Sequence, residues 1–345
     1  MPDILNLISQ ADRLDFSQNY GIARPNFLGD TLFPDVKTPA LQAEYLRLAS
    51  GAALPVIASV HAFDTEAEIA SRPALDKVNI EKLFIKRKIN QTEKMRLLLN
   101  NGVNSDSAIV DYVFDDMGRL ADAVKTRTEL AKMEVLATGK MTIDENSLNL
   151  AVDYGVASEN TSHSFNWSAA DADILGDMQT VVDMAAEKGQ AITGIVISSK
   201  VLRQMRNNTR IQTYIFGSAG AGTLVTKAQL QALFGEQFGF TEINVNDLRY
   251  GQENATGAIT SKRFFPENKV SFICKAANGS VGTGLWGVTP EEESLGQYTD
   301  KSAQQFITLT QWATPDPVAV WTKASGLFIP VLPNPDGLFI ATVTI

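Results

Sequence analysis

The longest periodic pattern of apolar residues in the chain runs from Asp106 to Thr138. Apolar side chains recur there at alternating spacings of three and four, which is the spacing of one face of an α-helix. Ser105 or Asp106 can cap its start, and Gly139 can end it. About 33 residues at ~1.5 Å each make a rod of roughly 50 Å, about three times the usual length. The pattern predicts one long helix that acts as a structural spine.

A different pattern precedes this helix. Two strand-like runs, at 56–60 and 78–89, flank a polar stretch that contains Pro73. Such a pair predicts a long two-stranded hairpin over residues 55–90. With about twelve residues per limb at ~3.3 Å each, the hairpin would reach ~40 Å from its base. A ribbon of this kind is at best marginally stable alone, so we expect it to rest on a partner.

Residues 1–54 carry no sustained pattern. An amphipathic stretch is followed by a segment that Pro25, Pro34 and Pro39 interrupt, and proline breaks regular elements. We expect this segment to have little core of its own and to lie along other parts as an arm.

The region from residue 165 onward alternates helical and strand-like patterns. Strand patterns dominate past Gly279, where helix signals almost disappear. The elements predicted in this half are helices over 171–188, 199–206 and 226–234 and strands over 192–198, 240–245, 270–274, 318–321 and 338–343.

Composition and charge narrow the class of protein. The chain has 345 residues, 44% hydrophobic and 20% charged, which is typical of a globular protein. A single cysteine, Cys274, excludes an internal disulfide framework, and two histidines exclude a zinc finger. The net charge of −9 argues against a free-standing duplex-DNA binder. No targeting segment and no run of eighteen apolar residues is present, so we expect a protein made in reducing cytoplasm and no membrane partner.

A glycine motif raises the possibility of nucleotide chemistry. Residues 282–287 (GTGLWG) match G-x-G-x-x-G. In a dinucleotide site a strand runs directly into this motif and a helix opens from it. Here the predicted strand ends early, and Glu291, Glu292 and Glu293 follow, whose charge would repel phosphate. We therefore interpret the motif as a glycine-rich turn and keep a dinucleotide site as the alternative.

Other polar and reactive residues do not form a catalytic set. The loop at 217–223 lacks a P-loop lysine, and His61 and His163 are isolated. Cys274 lies in an apolar strand pattern and is interpreted as a buried hydrophobe. The aspartates of the spine, which could hold a metal, are interpreted as a solvated helix face; these are Asp111, Asp115, Asp116 and Asp122. We predict no cofactor, no metal and no enzymatic activity.

A basic run lies within the predicted hairpin strand at 78–89 and includes Lys82, Lys86, Arg87 and Lys88. Such a run can contact phosphate, or it can be the polar face of a ribbon that forms salt bridges to a neighbouring subunit. We favour the second interpretation. Glu291, Glu292 and Glu293 are an acidic counterpart on another copy, so these seven residues are the candidate inter-subunit contacts.

The order of these parts resembles the major capsid proteins of tailed bacteriophages, specifically the lambda-type major capsid protein E family. The likeness covers most of the chain, and the order of parts is more specific than any single motif. The residues that carry it are 27–34 (FLGDTLFP), 78–89, 264–270 (FFPENKV), 282–291 (GTGLWGVTPE), 315–317 (PDP) and 332–336 (LPNPD).

This resemblance implies an α+β fold, the tailed-phage major capsid fold. Its parts are an N-terminal arm, an extended β-hairpin loop, a peripheral domain with the spine helix and an axial α/β domain. The corresponding boundaries in this chain are 1–54 for the arm, 55–90 for the extended loop, 91–164 for the peripheral domain, 165–310 for the axial domain and 311–345 for strands that return to the peripheral domain.

The resemblance also implies function and partners. Copies of such a chain form pentamers and hexamers of an icosahedral shell around packaged DNA, in a virion assembled in the host cytoplasm. No fused scaffolding domain is apparent, so a separate scaffolding protein is expected, with a portal protein and, in some family members, a decoration protein. Contact with double-stranded DNA is expected to be non-specific. The alternatives are an encapsulin-type protein compartment and a nucleotide-binding enzyme.

Overall fold

The structure is a computed structural model of the chain. The first predicted hairpin limb at 56–60, His61 and most of the predicted arm lie outside the residues that it describes. Those residues are 26–48, 75–91, 105–145, 148–220, 222–254, 257–293, 300–304, 306–316 and 318–345.

The predicted spine helix is confirmed and spans Ser105–Thr138. It ends where expected: Gly139 adopts a positive φ of 69°, and its amide still bonds to the carbonyl of Val135 at 2.8 Å. A β-carbon at Gly139 would lie 2.9 Å from a methyl group of Val156, so both backbone angle and space favour glycine. The helix is therefore stopped at a defined point, from which the chain turns into a strand.

One side of the spine helix packs against a six-stranded sheet. The long central strand of this sheet pairs with three other strands. Two of the three lie one after the other along the same edge of it. Apart from one parallel edge strand, all neighbours in this sheet are antiparallel. The strands are β1 (Asp35–Lys37), β4 (Leu83–Gln91), β13 (Thr283–Gly287), β14 (Asp300–Gln304), β15 (Ile307–Pro315) and β16 (Val318–Val331).

A second sheet of five strands lies on another side of the spine helix, in the order β7-β17-β12-β8-β9. The predicted strands at 192–198, 240–245, 270–274 and 338–343 are confirmed in it. Its strands are β7 (His163–Asn166), β8 (Gly194–Ile197), β9 (Glu242–Val245), β12 (Lys269–Ile273) and β17 (Leu338–Thr344).

This five-stranded sheet separates two hydrophobic cores. Along β17, Leu338 and Ile340 belong to the core around the spine helix, whereas Phe339 and Ala341 belong to a second core. Successive side chains of a strand point to opposite faces, so the central strands are buried on both sides and read as continuous apolar runs. The two cores thus share one sheet.

Helices cover the second face of this sheet, and the predicted helices are confirmed with small shifts of their ends. Three of the longer helices begin with a side chain that caps a backbone amide, from Asp173, Ser198 and Thr226. Besides the spine helix, the described residues form seven α-helices: α1 (Leu28–Leu32), α2 (Ser158–Thr161), α3 (Ile174–Glu187), α4 (Ser199–Asn207), α5 (Thr209–Phe216), α6 (Lys227–Phe238) and α7 (Pro290–Glu293).

Three two-stranded ribbons complete the described fold. The first joins β2 (Gln42–Leu48) to β3 (Leu75–Glu81), the second follows the spine helix, and the third leaves the body near the start of β12. The second and third ribbons consist of β5 (Lys140–Glu145) with β6 (Leu148–Asp153) and β10 (Arg249–Glu253) with β11 (Ile259–Arg263).

The structure corrects two expectations about organisation. Residues 83–89 are not a hairpin limb but part of β4 in the six-stranded sheet, and the ribbon strand before them pairs with 42–48. Leu32 and Phe33 of the expected arm are fully buried in the core that surrounds the spine helix, so this part of the arm lies along another element. Residues 283–287, 300–304 and 307–310, expected in the axial domain, belong to strands of the six-stranded sheet. Each error concerns which distant segment a strand pairs with, and local pattern carries little of that information.

Candidate inter-subunit surfaces

Lys82 lies at the root of the first ribbon and is buried, with 3% of its surface exposed. Its Nζ contacts the hydroxyl of Thr38 at 2.6 Å and the carbonyls of Ala40 at 2.6 Å and Trp286 at 3.1 Å. Burial lowers the pKa of this amine. The prediction that Lys82 is an exposed inter-subunit contact is therefore wrong. Its amine is used inside the chain to fasten the base of the ribbon to β13.

Lys86 and Lys88 point outward from β4, on the sheet face opposite the spine helix. The Nζ of Lys88 lies 4.3 Å from the ring centroid of Trp321, and the Nζ of Lys86 lies 5.1 Å from that of Phe84. Trp321 stacks on Trp312 with centroids 6.2 Å apart and rings 11° from parallel. We call this set, in which the two lysines and Phe84 are exposed and the two tryptophans are half-buried, the lysine–tryptophan face. Cations held over aromatic rings keep their charge available to a partner while the rings restrict their motion.

Arg87 points to the other side of the same strand. It forms an ion pair with Glu253 of the third ribbon, and both side chains are about half exposed. The basic run is therefore divided between two faces, as the two-residue period of a strand requires.

Two of the three predicted acidic contacts have partners in their own chain. Glu291 pairs with Lys323, and Glu292 pairs with Lys37. Burial opposes ionisation of Glu291, but the hydrogen bond from Lys323, the charge of that lysine and the other hydrogen bonds to the carboxylate together outweigh it and lower the pKa of the carboxyl. The side chain of Glu293 lies outside the described residues. Because Lys323 stands opposite Lys88 in the sheet register, Glu291 borders the lysine–tryptophan face.

A buried charged cluster, which the sequence did not reveal, holds residues 27–37 to the spine helix. Lys132 is fully buried, and its Nζ lies 2.8 Å from a carboxylate oxygen of both Asp30 and Asp35. One turn earlier, Glu129 accepts a hydrogen bond of 3.1 Å from the amide of Gly29. We call these four side chains the N-segment clasp. The only sequence signal was the position of Glu129 and Lys132 among apolar residues of the predicted helix.

The glycine motif proves to be a strand and not a turn. Residues 283–287 form β13, between β1 and β16, and the four-residue helix that follows carries the acidic run. A β-carbon at Gly282 would lie 2.3 Å from the carbonyl oxygen of Val331, and one at Gly284 would lie 2.3 Å from a carboxylate oxygen of Asp35. The glycines here allow strands and a buried ion pair to approach closely.

The other candidate chemical groups have structural surroundings. Burial raises the pKa of the Cys274 thiol to about 12, so it is not a thiolate nucleophile at neutral pH. His163 lies in β7 and stacks on Phe165, and burial lowers its pKa. Asp115 is exposed and pairs with Arg119, but Asp116 and Asp122 are buried, so the predicted solvated face is wrong for these two. Within the described ranges, no group of three or more potential metal ligands is present.

Membrane insertion through a helix was also considered. No helix of the described part of the chain is long and apolar enough to cross a bilayer.

Solved structures with this fold include a prophage protein and a phage-related protein. A prophage protein of E. coli CFT073 that is assigned as its capsid protein matches with a TM-score of 0.59 and 14% identity, over 96% of this chain and 98% of that chain. A phage-related protein from Bordetella bronchiseptica RB50 matches with a TM-score of 0.51 and 12% identity, over 97% of both chains. At such identities the likeness concerns the fold. No curated protein matches the sequence.

The predicted fold class is therefore confirmed: the mixed α and β architecture with its single spine helix is that of tailed-phage major capsid proteins. The family model described as phage major capsid protein E matches residues 19–343. The chain belongs to this family, and it is a structural protein of the phage head shell. The encapsulin-type compartment gains no support over this assignment.

Proposed function

We propose that copies of this chain form the pentamers and hexamers of a closed icosahedral shell around double-stranded phage DNA. The family match over residues 19–343 is the observation that carries this proposal. The role is structural and not enzymatic. The buried amines of Lys82 and Lys132 hold segments of the chain together, which supports a structural role for the protein.

We further propose that assembly takes place in the host cytoplasm with a separate scaffolding protein and a portal protein, and that a decoration protein binds some shells. Contact with the packaged DNA is non-specific. The net charge of −9 supports this, because an acidic container does not retain a polyanion that must leave it.

The lysine–tryptophan face is the proposed contact between subunits, together with Arg87. Within the described residues, Lys86 and Lys88 have no carboxylate at ion-pair distance, whereas Arg87 pairs with Glu253. Aromatic residues flanked by cations are typical of interface centres. Since the chain carries nine more acidic than basic residues, a second copy offers mainly acidic surface.

Sedimentation of the particles, with negative-stain microscopy, tests the proposal. We expect large closed particles whose DNA is protected from nuclease. Closed particles that contain protein cargo and no DNA would favour the compartment instead. Monomers or dimers under all conditions, including co-expression with the scaffolding protein, would contradict a shell.

A further inference from the structure

The ribbon formed by β10 and β11 is an element for which the sequence analysis made no prediction. In each of its strands four of the five residues are exposed. An isolated two-stranded ribbon is at best marginally stable in water, so both of its exposed faces lack the cover that such elements need. This ribbon therefore has the physical character that the sequence analysis assigned to the first hairpin.

The root of the ribbon is held firmly. Arg263 pairs with Asp247 and, at 3.0 Å, with Glu267. The ring of Tyr250 lies 5.1 Å from that of Phe264, which belongs to the core around the spine helix. These contacts fix the direction in which the ribbon leaves the body.

The tip is closed tightly as well. The amide of Asn254 bonds to the carbonyl of Ala258 at 3.0 Å, and the Asn254 side chain accepts from the Ala258 amide at 2.9 Å. A positive φ of 82° at Gly257 completes the turn. A ribbon that is fixed at its root has less conformational freedom to lose when it binds, which favours its use as a contact element.

The ribbon presents one large apolar side chain and two cations, of which Arg249 lies at the root opposite Arg263. Ile259 is 73% exposed, more than the other large apolar side chains of the described chain. It lies over Gly251, where a β-carbon would be only 2.7 Å from its Cγ2. Arg249 and Lys262 take part in no ion pair within the described residues. The ribbon thus presents positive charge and one exposed apolar side chain, whereas the chain as a whole has a net charge of −9.

We propose that the β10–β11 ribbon binds a second copy of this chain, with Ile259 in an apolar recess and with Arg249 on the same face, and Lys262 on the opposite face, against acidic side chains of that copy. Charge complementarity favours this partner, because the ribbon is basic and the copy is acidic. The inference rests on the proposed function, since it assumes that copies meet in a shell. It adds a contact separate from the lysine–tryptophan face.

Site-directed cross-linking tests the proposal. Cys274 is buried and its thiol is unreactive, so Ile259→Cys introduces the accessible thiol. Labelled with a maleimide–benzophenone and irradiated, assembled particles of this variant should give a band at twice the chain mass, at least tenfold above that of dilute unassembled subunit. Peptide mass spectrometry should place the second half of the cross-link on an acidic surface of another copy.

Ala277→Cys is the matched control, because this exposed residue lies on a loop outside the ribbon. It should label equally and give at least tenfold less of the dimer band. Particles that form normally but show only intramolecular cross-links from residue 259 would overturn the ribbon contact and leave the shell intact. A failure of the unmodified chain to form particles would instead count against the proposed function.

A second variant separates contact from folding. Ile259→Asp combined with Lys262→Glu changes exposed side chains, so the subunit should keep its melting temperature within about 2 °C and its far-UV spectrum. Assembly yield should fall at least tenfold. An unchanged yield would overturn the proposal, and so would a lower yield that merely follows a lower melting temperature.

Discussion

Lys132 and Glu129 show what a charged residue does inside this core. Lys132 is fully buried between Asp30, Asp35 and the ring of Phe328, 5.7 Å from its Nζ. Removing a charge from water is costly unless partners are close, and both carboxylates supply that compensation. The two ion pairs of Lys132 join residues that are far apart in sequence. They therefore hold the N-terminal segment in place on the spine helix.

The first prediction concerns this lysine. Lys132→Met keeps the length of the side chain but leaves two carboxylates facing apolar surroundings. We expect a loss of about 2–4 kcal/mol in the free energy of unfolding, below the upper range for buried pairs because Asp30 is half exposed. Urea denaturation measures it. Lys125→Met, on the same helix and half-buried, is the control and should cost under about 0.5 kcal/mol. Equal losses from both variants would contradict the role of the clasp.

The second prediction concerns pH. Burial raises the pKa of Glu129 from 4.5 to about 7, although the Gly29 amide and the charge of Lys132 oppose the shift. The folded chain therefore holds a proton that the unfolded chain releases near 4.5. This carboxyl stabilises the fold least above pH 7, and its contribution decreases as pH rises from 4.5 to 7.

Glu129→Gln removes that titration. Relative to the unmodified chain, the variant should gain stability between pH 5 and pH 8, by roughly 3 kcal/mol at most. Denaturation curves of both proteins at the two pH values give this difference, and other titrating groups cancel. A difference that does not change with pH would show that Glu129 is ionised in the fold throughout.

The residue scale is where sequence reasoning was weakest. Lys82 and Asp116 are charged, and charged residues are usually exposed, so Lys82 was assigned to a partner and Asp116 to a solvated face, whereas both are buried. Whether a charge is buried depends on carbonyls and carboxylates brought from distant segments. The sequence does not reveal those partners until the strands are paired.

Elements were predicted better than their partners. The spine helix follows from its own periodicity and caps, and strands such as β12 and β17 follow from continuous apolar runs. The pairing of β4 with β16 spans more than two hundred residues, and no local signal specifies it. The β10–β11 ribbon is largely polar on both faces, so it lacked the alternating pattern by which strands are recognised.

The third prediction tests the packing of β13. Gly282→Ala would place a methyl group against the backbone of Val331 and the buried ring of Phe33. We expect it to cost at least about 2 kcal/mol, because neither neighbour can move freely. Thermal and urea denaturation measure the change.

Gly235→Ala is the matched control for this change. It lies inside a helix, where alanine is intrinsically better by about 1 kcal/mol, and its new methyl group meets only the methyl of Thr241. It should be nearly neutral. Similar losses of folding stability at both sites would mean that the close approach at Gly282 does not affect stability.

The fourth prediction separates the two faces of the basic run. Lys86→Glu with Lys88→Glu reverses the charge of the lysine–tryptophan face, and because both side chains are exposed the subunit should remain folded. Assembly should fail, since like charges would then meet across the contact. Circular dichroism and sedimentation measure the two outcomes.

Arg87→Glu, on the other face, is the comparison and should also weaken assembly if Arg87 belongs to the contact. Normal shells from the double variant would remove this face from the proposed interface.

At the scale of the whole molecule, the spine helix and the five-stranded sheet connect two cores into one body. Ser271 of β12 donates a hydrogen bond of 2.6 Å to the carbonyl of Leu136 on the helix, while its neighbours Val270 and Phe272 face the second core. The sequence predicted both regions but placed the boundary between them incorrectly, because β13 to β15 return to the first core. The capsid fold itself followed from the resemblance in the order of parts, since pattern alone gives elements and not their assembly.

Assembly is the property that a single chain does not display. The lysine–tryptophan face and the β10–β11 ribbon are the proposed contacts with other copies, and many modest contacts repeated by symmetry stabilise a closed shell. Single-particle electron microscopy of the purified particles tests this account most directly. It predicts a closed shell in which this fold repeats in rings of five and six copies. A particle in which the chain stays solitary, or lines an open polymer with no closed symmetry, would contradict it.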